Sequence, residues 1–142
     1  MGSPLLHRGL CHCGAVGFLY RTAMAPEGWP IRACQCTFCR AHGALSTSDP
    51  EGSLQFVEHI PNALHRYRFG QKTADFLLCS DCGMYLGAMM RSESTALGVI
   101  NVRMLYSPLD RLREPERISY DNEGLAERRF RRASRWTPIA IG

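Results

Sequence analysis

The sequence predicts a mostly β, zinc-stabilised domain with short helical turns, and three observations support that fold class. The part before residue 105 consists of short β-like runs separated by turn residues. No stretch of this part shows the 3.6-residue apolar period of a long helix. Seven cysteines fall into three tight clusters, a pattern typical of metal binding in an intracellular chain. The length of 142 residues suits a single domain.

The predicted strands lie between turn signals such as Pro61-Asn62 and Asp81-Cys82-Gly83. They are Cys13–Thr22, Ser53–Ile60, Ala63–Gly70, Ala74–Cys79, Met84–Met90 and Thr95–Leu105. A short helix or helical turn is predicted from Cys39 to Leu45. Together these elements predict a small sheet assembly that is held in place by metal.

The segment from 106 to 142 has a different composition from the motif-bearing core, residues 10–105. It is charged and contains three prolines, and we expect a tail draped over the surface, in which Leu109, Leu112 and Ile118 pack. Its stretch ERRFRRASRW contains five arginines and two aromatic residues, a composition that nucleic-acid-binding segments share. Because acidic residues precede this stretch, we predict a solvated tail and no nucleic-acid partner.

The bulk composition argues against a membrane or a strongly basic protein. No apolar run approaches the roughly 18 residues of a membrane span, and the start lacks the apolar core of a secretory signal, so we expect a cytoplasmic location. The formal net charge is +4. If seven thiolates held two Zn²⁺ ions, seven lost protons and four added charges would bring this net charge to +1.

The first and last cysteine clusters resemble each other and are predicted to form one metal site. Cys11-x-Cys13 and Cys79-x-x-Cys82 both end in Cys-Gly, and glycine lets the chain turn tightly after a ligand. Two such pairs complete the four-cysteine set of a structural zinc site. This site would join the N-terminus to the middle of the chain.

The middle cluster, Cys34-x-Cys36-x-x-Cys39, is then left with three thiolates. Three protein ligands with an open fourth position are typical of catalytic zinc, whereas four are typical of structural zinc. His42 is the nearest candidate for a fourth ligand, and His12 and Asp81 are more distant ones. Residue type alone leaves both possibilities open.

Charge favours an open site. Zinc with three thiolates has a net charge of −1, which makes it a weak Lewis acid for activating water. Such a zinc suits a soft ligand that enters as a thiol and binds as a thiolate. A bound thiolate can act as a nucleophile towards an aldehyde carbonyl.

Three motifs, LCHCGAVGF, CQCTFCRAHGA and YRFGQKTADFLLCSDCGMYLG, resemble in this order the glutathione-dependent formaldehyde-activating enzyme family, also called the Gfa-like or centromere protein V family. The resemblance spans about residues 10–105 and includes all seven cysteines. It implies a Mss-four-like β fold, a structural zinc at Cys11, Cys13, Cys79 and Cys82, and a second, catalytic zinc at Cys34, Cys36 and Cys39. The family often has a small polar residue near position 42, where this chain has His42.

The activity implied by the resemblance is a carbon–sulfur lyase reaction. It joins glutathione, or a similar small thiol, to formaldehyde or a related aldehyde to form S-hydroxymethylglutathione or its analogue. In this interpretation, Arg40 is a candidate to contact a carboxylate of the thiol. The alternative is a non-catalytic zinc module that binds a protein or chromatin partner.

Overall fold

The computed structural model describes residues 3–91 and 94–140, which form two β-sheets and two short α-helices. The strands are β1 (Leu5–Leu10), β2 (Val16–Thr22), β3 (Arg32–Cys34), β4 (Ser46–Thr47), β5 (Ser53–Glu58), β6 (Leu64–Tyr67), β7 (Asp75–Cys79), β8 (Tyr85–Arg91), β9 (Ala96–Asn101), β10 (Glu116–Ile118) and β11 (Thr137–Pro138). The helices are α1 (Thr37–His42) and α2 (Leu125–Arg135), with 3-10 turns at Pro26–Gly28 and Val102–Met104. The predicted mostly β fold class is confirmed.

The two sheets differ in the number of their strands and in the direction in which neighbouring strands pair. The small sheet has the order β1-β2-β5 and is antiparallel throughout. The large sheet has the order β10-β3-β4-β9-β8-β7-β6, and β11 pairs with β9. Its pairs are antiparallel except for β10 with β3, which run parallel. None of the helices in the described residues is long and apolar enough to span a membrane.

The main core lies between the two sheets. Phe18 and Tyr20 of β2 and Leu54 of β5 are fully buried, as are Leu86 of β8 and Ile100 of β9. Alternate side chains of a strand point to opposite faces, so each sheet contributes one apolar face to this layer. Burial of these large side chains stabilises the contact between the sheets by about 1.5–3 kcal/mol for each one.

All six strands predicted from turn signals are present, five of them shorter than predicted and one shifted by a single residue. The predicted runs from 13 to 105 correspond to β2, β5, β6, β7, β8 and β9. The helix predicted from Cys39 to Leu45 is present but spans Thr37–His42. It begins earlier because the Cys36 sulfur accepts a hydrogen bond from the Cys39 amide and caps the helix, and it ends earlier because Gly43 adopts the left-handed conformation. The short strands β3, β4, β10 and β11 have two or three residues each, too few for a periodic pattern.

The prediction of a surface-draped tail after residue 105 is wrong. The tail contributes β10, α2 and β11, and Arg132, Trp136 and Thr137 are buried. Leu109 and Leu112 pack against the main core, as expected. The helix was missed because its buried face presents an arginine, so that the usual stripe of aliphatic residues is absent.

We expect Trp136→Ala to lower the free energy of unfolding by about 3–5 kcal/mol, because it removes a large side chain that packs against Ala74, Met90 and Val99. Phe130→Ala, on the helix α2 that directly precedes Trp136 but 77% exposed, is the matched control and should change this free energy by less than about 0.5 kcal/mol. Urea unfolding of the metal-loaded proteins, followed by circular dichroism, measures both values. Equal small effects would contradict a packed C-terminal segment.

Candidate metal centres

The first candidate centre joins the two sheets. Cys11 and Cys13 lie in the turn between β1 and β2, while Cys79 ends β7 and Cys82 lies in the turn before β8. Their sulfur atoms all lie within 4.8 Å of one another. The Cys13 sulfur is 3.5 Å from that of Cys79 and 3.7 Å from that of Cys11. The structure thus brings together the four cysteines that the sequence analysis assigned to one site.

Both turns of this centre use glycine for the same geometric reason. Gly14 has a φ of 85° and Gly83 a φ of 80°, a region that residues with a side chain rarely adopt. The Gly14 amide donates to the Cys11 carbonyl at 3.1 Å, and the Gly83 amide donates to the Cys79 carbonyl at 2.9 Å. The repeated Cys-Gly pair therefore marks a tight turn with a left-handed glycine at two places in the chain.

The surroundings of these sulfur atoms fit a zinc ion. Four sulfurs placed tetrahedrally about 2.3 Å from zinc would lie roughly 3.8 Å apart, close to the two distances above. The amides of Asp81 and Cys82 each donate to the Cys79 sulfur at 3.3 Å, and the Val16 amide donates to the Cys11 sulfur at 3.4 Å. Such hydrogen bonds favour the thiolate form that binds metal. This four-cysteine group could hold a metal ion, and its donor set suits zinc.

The second candidate centre lies where β3 meets α1. Cys34 ends β3, Cys36 caps the N-terminus of α1, and Cys39 is buried within the helix. The sulfur atoms of these three residues also lie within 4.8 Å of one another. Tyr85 of β8 and Phe38 of α1 pack against them. This group could hold a second metal ion through three protein ligands.

Without a metal, the three thiols share their protons unequally. Hydrogen bonds from Cys34 and then Cys39 lower the pKa of the Cys36 thiol to about 2. The same contacts, first with Cys34 and then with Cys36, raise the pKa of Cys39. One thiolate is thus stabilised by two neighbouring thiols, and full ionisation of all three needs a nearby cation. A divalent metal supplies that charge.

The structure does not place His42 among the ligands of this group. Of the described histidine, cysteine and acidic residues, only Cys34, Cys36 and Cys39 bring ligand atoms together there, so His12 and Asp81 are also outside. The His42 ring is exposed and lies against Phe38, with 4.5 Å between ring centroids. The candidate fourth ligand therefore points to an aromatic neighbour, and the fourth position has no protein donor in this arrangement.

The second group opens onto a cavity of about 530 Å³. All three of its cysteines line this cavity, whereas none of the four cysteines of the first group does. Arg40 is exposed on α1 and forms part of the cavity wall, where the sequence analysis expected a contact with the ligand. Phe69, Phe76 and Tyr85 supply an aromatic part of the wall. Cavities of this volume are typical of small-molecule sites.

Four arginines that were not predicted as site residues also line the cavity. They are Arg32, Arg128, Arg131 and Arg132. Three of them come from α2, in the segment expected to be a solvated tail. The stretch ERRFRRASRW did contain a signal, because its arginines recur at intervals of three and four residues, the spacing of one helix face.

Structural comparison finds a crystal structure of a Rhodobacter sphaeroides protein, determined by structural genomics, that is 31% identical to this chain. The TM-score is 0.61, and the match covers 78% of this chain and 99% of that one. This chain belongs to the same family as that protein. No protein-family model and no curated protein matches this chain. The family relationship supports the fold and brings no activity with it.

We expect the two metal groups to respond differently to loss of one ligand. Cys11→Ser should abolish the folded state, because metal binding of this kind contributes on the order of 10–16 kcal/mol to folding in zinc-finger peptides. Cys36→Ser should leave a folded protein with one zinc ion fewer than the wild type. Zinc analysis by mass spectrometry and circular dichroism measure the two outcomes. A folded Cys11→Ser protein with full zinc content would contradict a structural role for the first group.

Proposed function

We propose that this protein is a zinc-dependent enzyme of the carbon–sulfur lyase type. It binds a small thiol, such as glutathione, at the three-cysteine centre and forms or breaks its adduct with formaldehyde or a related aldehyde. The observation that supports this most directly is the contrast between the two cysteine groups. The group with four ligands lies outside the cavity, and the group with three ligands opens onto it.

The donor set explains why a thiol is the expected ligand. Zinc held by Cys34, Cys36 and Cys39 would lower the pKa of a thiol that takes the fourth position, so that the thiol reacts as a thiolate. The resemblance of the three cysteine motifs to the glutathione-dependent formaldehyde-activating enzymes favours the same chemistry.

The reaction requires one new bond and one proton transfer. The thiolate sulfur attacks the aldehyde carbon and forms the carbon–sulfur bond, while the electron pair of the carbonyl π bond moves to oxygen. That oxygen takes up a proton, which balances the proton lost by the thiol, and an S-hydroxyalkyl product results. The reverse reaction releases the aldehyde and the thiol.

Residues of the cavity wall would hold the reactants. Arg40 can hold a carboxylate of the thiol by paired hydrogen bonds. Phe69, Phe76 and Tyr85 offer apolar contact to the rest of the ligand. Burial, and then the charge of Cys39, raises the pKa of Tyr85 well above its usual value, so this phenol stays neutral beside the cysteines. A neutral wall leaves the thiolates as the negative groups on this side of the cavity.

The proposal is tested by the exchange of formaldehyde with glutathione. We expect the zinc-loaded wild type to hold two zinc ions and to accelerate formation and breakdown of S-hydroxymethylglutathione, seen by NMR exchange spectroscopy with ¹³C-formaldehyde. Cys36→Ser should lose one zinc and the acceleration while it remains folded. Arg129→Gln, which removes an exposed arginine outside the cavity, is the matched control and should retain both.

Two zinc ions without any acceleration would contradict the enzyme proposal. That result would favour the alternative of a non-catalytic zinc module with a protein or chromatin partner. One zinc ion, with the three thiols of the second group freely alkylated, would show that this group does not retain metal in the absence of a thiol.

A further inference from the structure

The C-terminal segment turns one part of the cavity wall into a strongly basic surface. Five arginines line the cavity, and Asp121 is the only acidic residue among its described lining residues. Glu123 lies nearby and binds two of these arginines, Arg131 at 2.7 and 2.9 Å and Arg128 at 3.1 Å. The remaining arginines of the wall, Arg32, Arg40 and Arg132, form no ion pair with any carboxylate in residues 3–91 and 94–140.

Arg132 is the most unusual of these side chains. It is 6% exposed, and its Nη1 donates to the Thr73 hydroxyl at 2.6 Å. Its guanidinium carbon lies 4.8 Å from the centre of the Trp136 ring. Its buried Nε–H has no hydrogen-bond partner within the described structure. Buried donors on a charged group are nearly always paired, because an unpaired one loses its solvation without compensation.

Arg32 of β3 is a second buried arginine of the cavity wall. It is 9% exposed, and its Nη2 donates to the Ser48 hydroxyl at 2.6 Å. Burial, followed by the charges of Arg131 and Arg128, lowers the pKa of Arg132 to about 10. Both side chains line the same cavity. An anion bound there beside Arg132 would relieve its burial cost and its repulsion by Arg131 and Arg128.

The metal centre does not neutralise this surface. Zinc held by the three thiolates would contribute one negative charge, and Asp121 and Glu123 contribute one each. The five arginines of the wall exceed these charges by two. The cavity therefore has a positive surplus that a dianionic ligand would balance.

We infer that Arg132 and Arg32 form an oxyanion-binding subsite in the cavity, which takes a carboxylate of the ligand whose sulfur reaches Cys34, Cys36 and Cys39. The assignment of the carboxylate to a thiol ligand rests on the proposed function, whereas the anion site itself does not. A thiol that carries carboxylates would be selected over a neutral thiol of the same length. Selection between charged and neutral thiols then depends in part on α2, which carries Arg132 and lies far in sequence from the cysteines.

Nuclear magnetic resonance can observe the unpartnered Arg132 Nε–H directly. The zinc-loaded, ¹⁵N-labelled protein is titrated at constant ionic strength with inorganic sulfate, with S-methylglutathione and with glutathione diethyl ester. Sulfate probes the anion site alone, S-methylglutathione has both carboxylates but no free thiol, and the diester has the thiol but no carboxylate. The Arg132 signal is assigned by its loss in Arg132→Lys.

We expect sulfate and S-methylglutathione to shift the Arg132 Nε–H signal downfield in a saturable manner, and the diester to leave it unshifted. Arg132→Lys and Arg32→Lys, which keep the positive charge but lack the planar guanidinium, should each weaken both interactions about tenfold or more. Arg129→Gln, on the exposed face of α2, should have the wild-type affinities. Two independent variants keep the test valid if one of them does not fold.

The outcomes separate this inference from the proposed function. No shift with either anion, or equal affinity in both lysine variants and the wild type, would overturn the anion site. A shift with sulfate but not with S-methylglutathione would support the site and overturn its assignment to a glutathione-like ligand. Shifts with both anions, without any acceleration of formaldehyde exchange, would support the subsite and contradict the enzyme proposal alone.

Discussion

The four-cysteine group is the constraint on which the rest of the structure depends. It ties the turn between β1 and β2, in the small sheet, to the turn between β7 and β8, in the large one. Without this connection, the two sheets would be held mainly by the apolar layer between them. The position of β8 is fixed in this way, and β8 brings Tyr85 against the three cysteines of the second group. The first metal group thus sets the geometry of the second, although the two have different ligand sets.

The grouping of the cysteines could be predicted from the sequence because its signals are local. A Cys-Gly turn needs only adjacent residues, and Gly14 and Gly83 adopt the left-handed backbone that this pattern suggests. The strands of the core were also predictable, because turn residues separate them. The orientation of His42 was not, since it depends on how α1 packs. Its ring packs at a tilt against that of Phe38, four residues earlier and therefore one helical turn away.

The cavity could not be predicted, because its wall is made by contacts between distant parts of the chain. Arg32 and Arg132 are separated by one hundred positions in the sequence, and neither follows a recognisable motif. A helix that buries arginine through Thr73 and Trp136 gives no apolar stripe, so the usual helical signal is absent. The structure is needed to show that a charged segment, which resembles a solvated tail in sequence, forms part of the cavity wall.

The position of α2 late in the sequence affects the order in which parts of the structure can form during synthesis. The ribosome synthesises the N-terminus first, so all seven cysteines emerge well before Arg128, Arg132 and Trp136. Both metal groups can therefore assemble while the cavity still lacks one wall. Under the proposed function, a nascent chain at that stage would expose its three cysteines to any thiol in the surroundings, without selection by charge. Discrimination between thiols would then be acquired only when the last helix docks, after the cysteine groups are already able to bind metal.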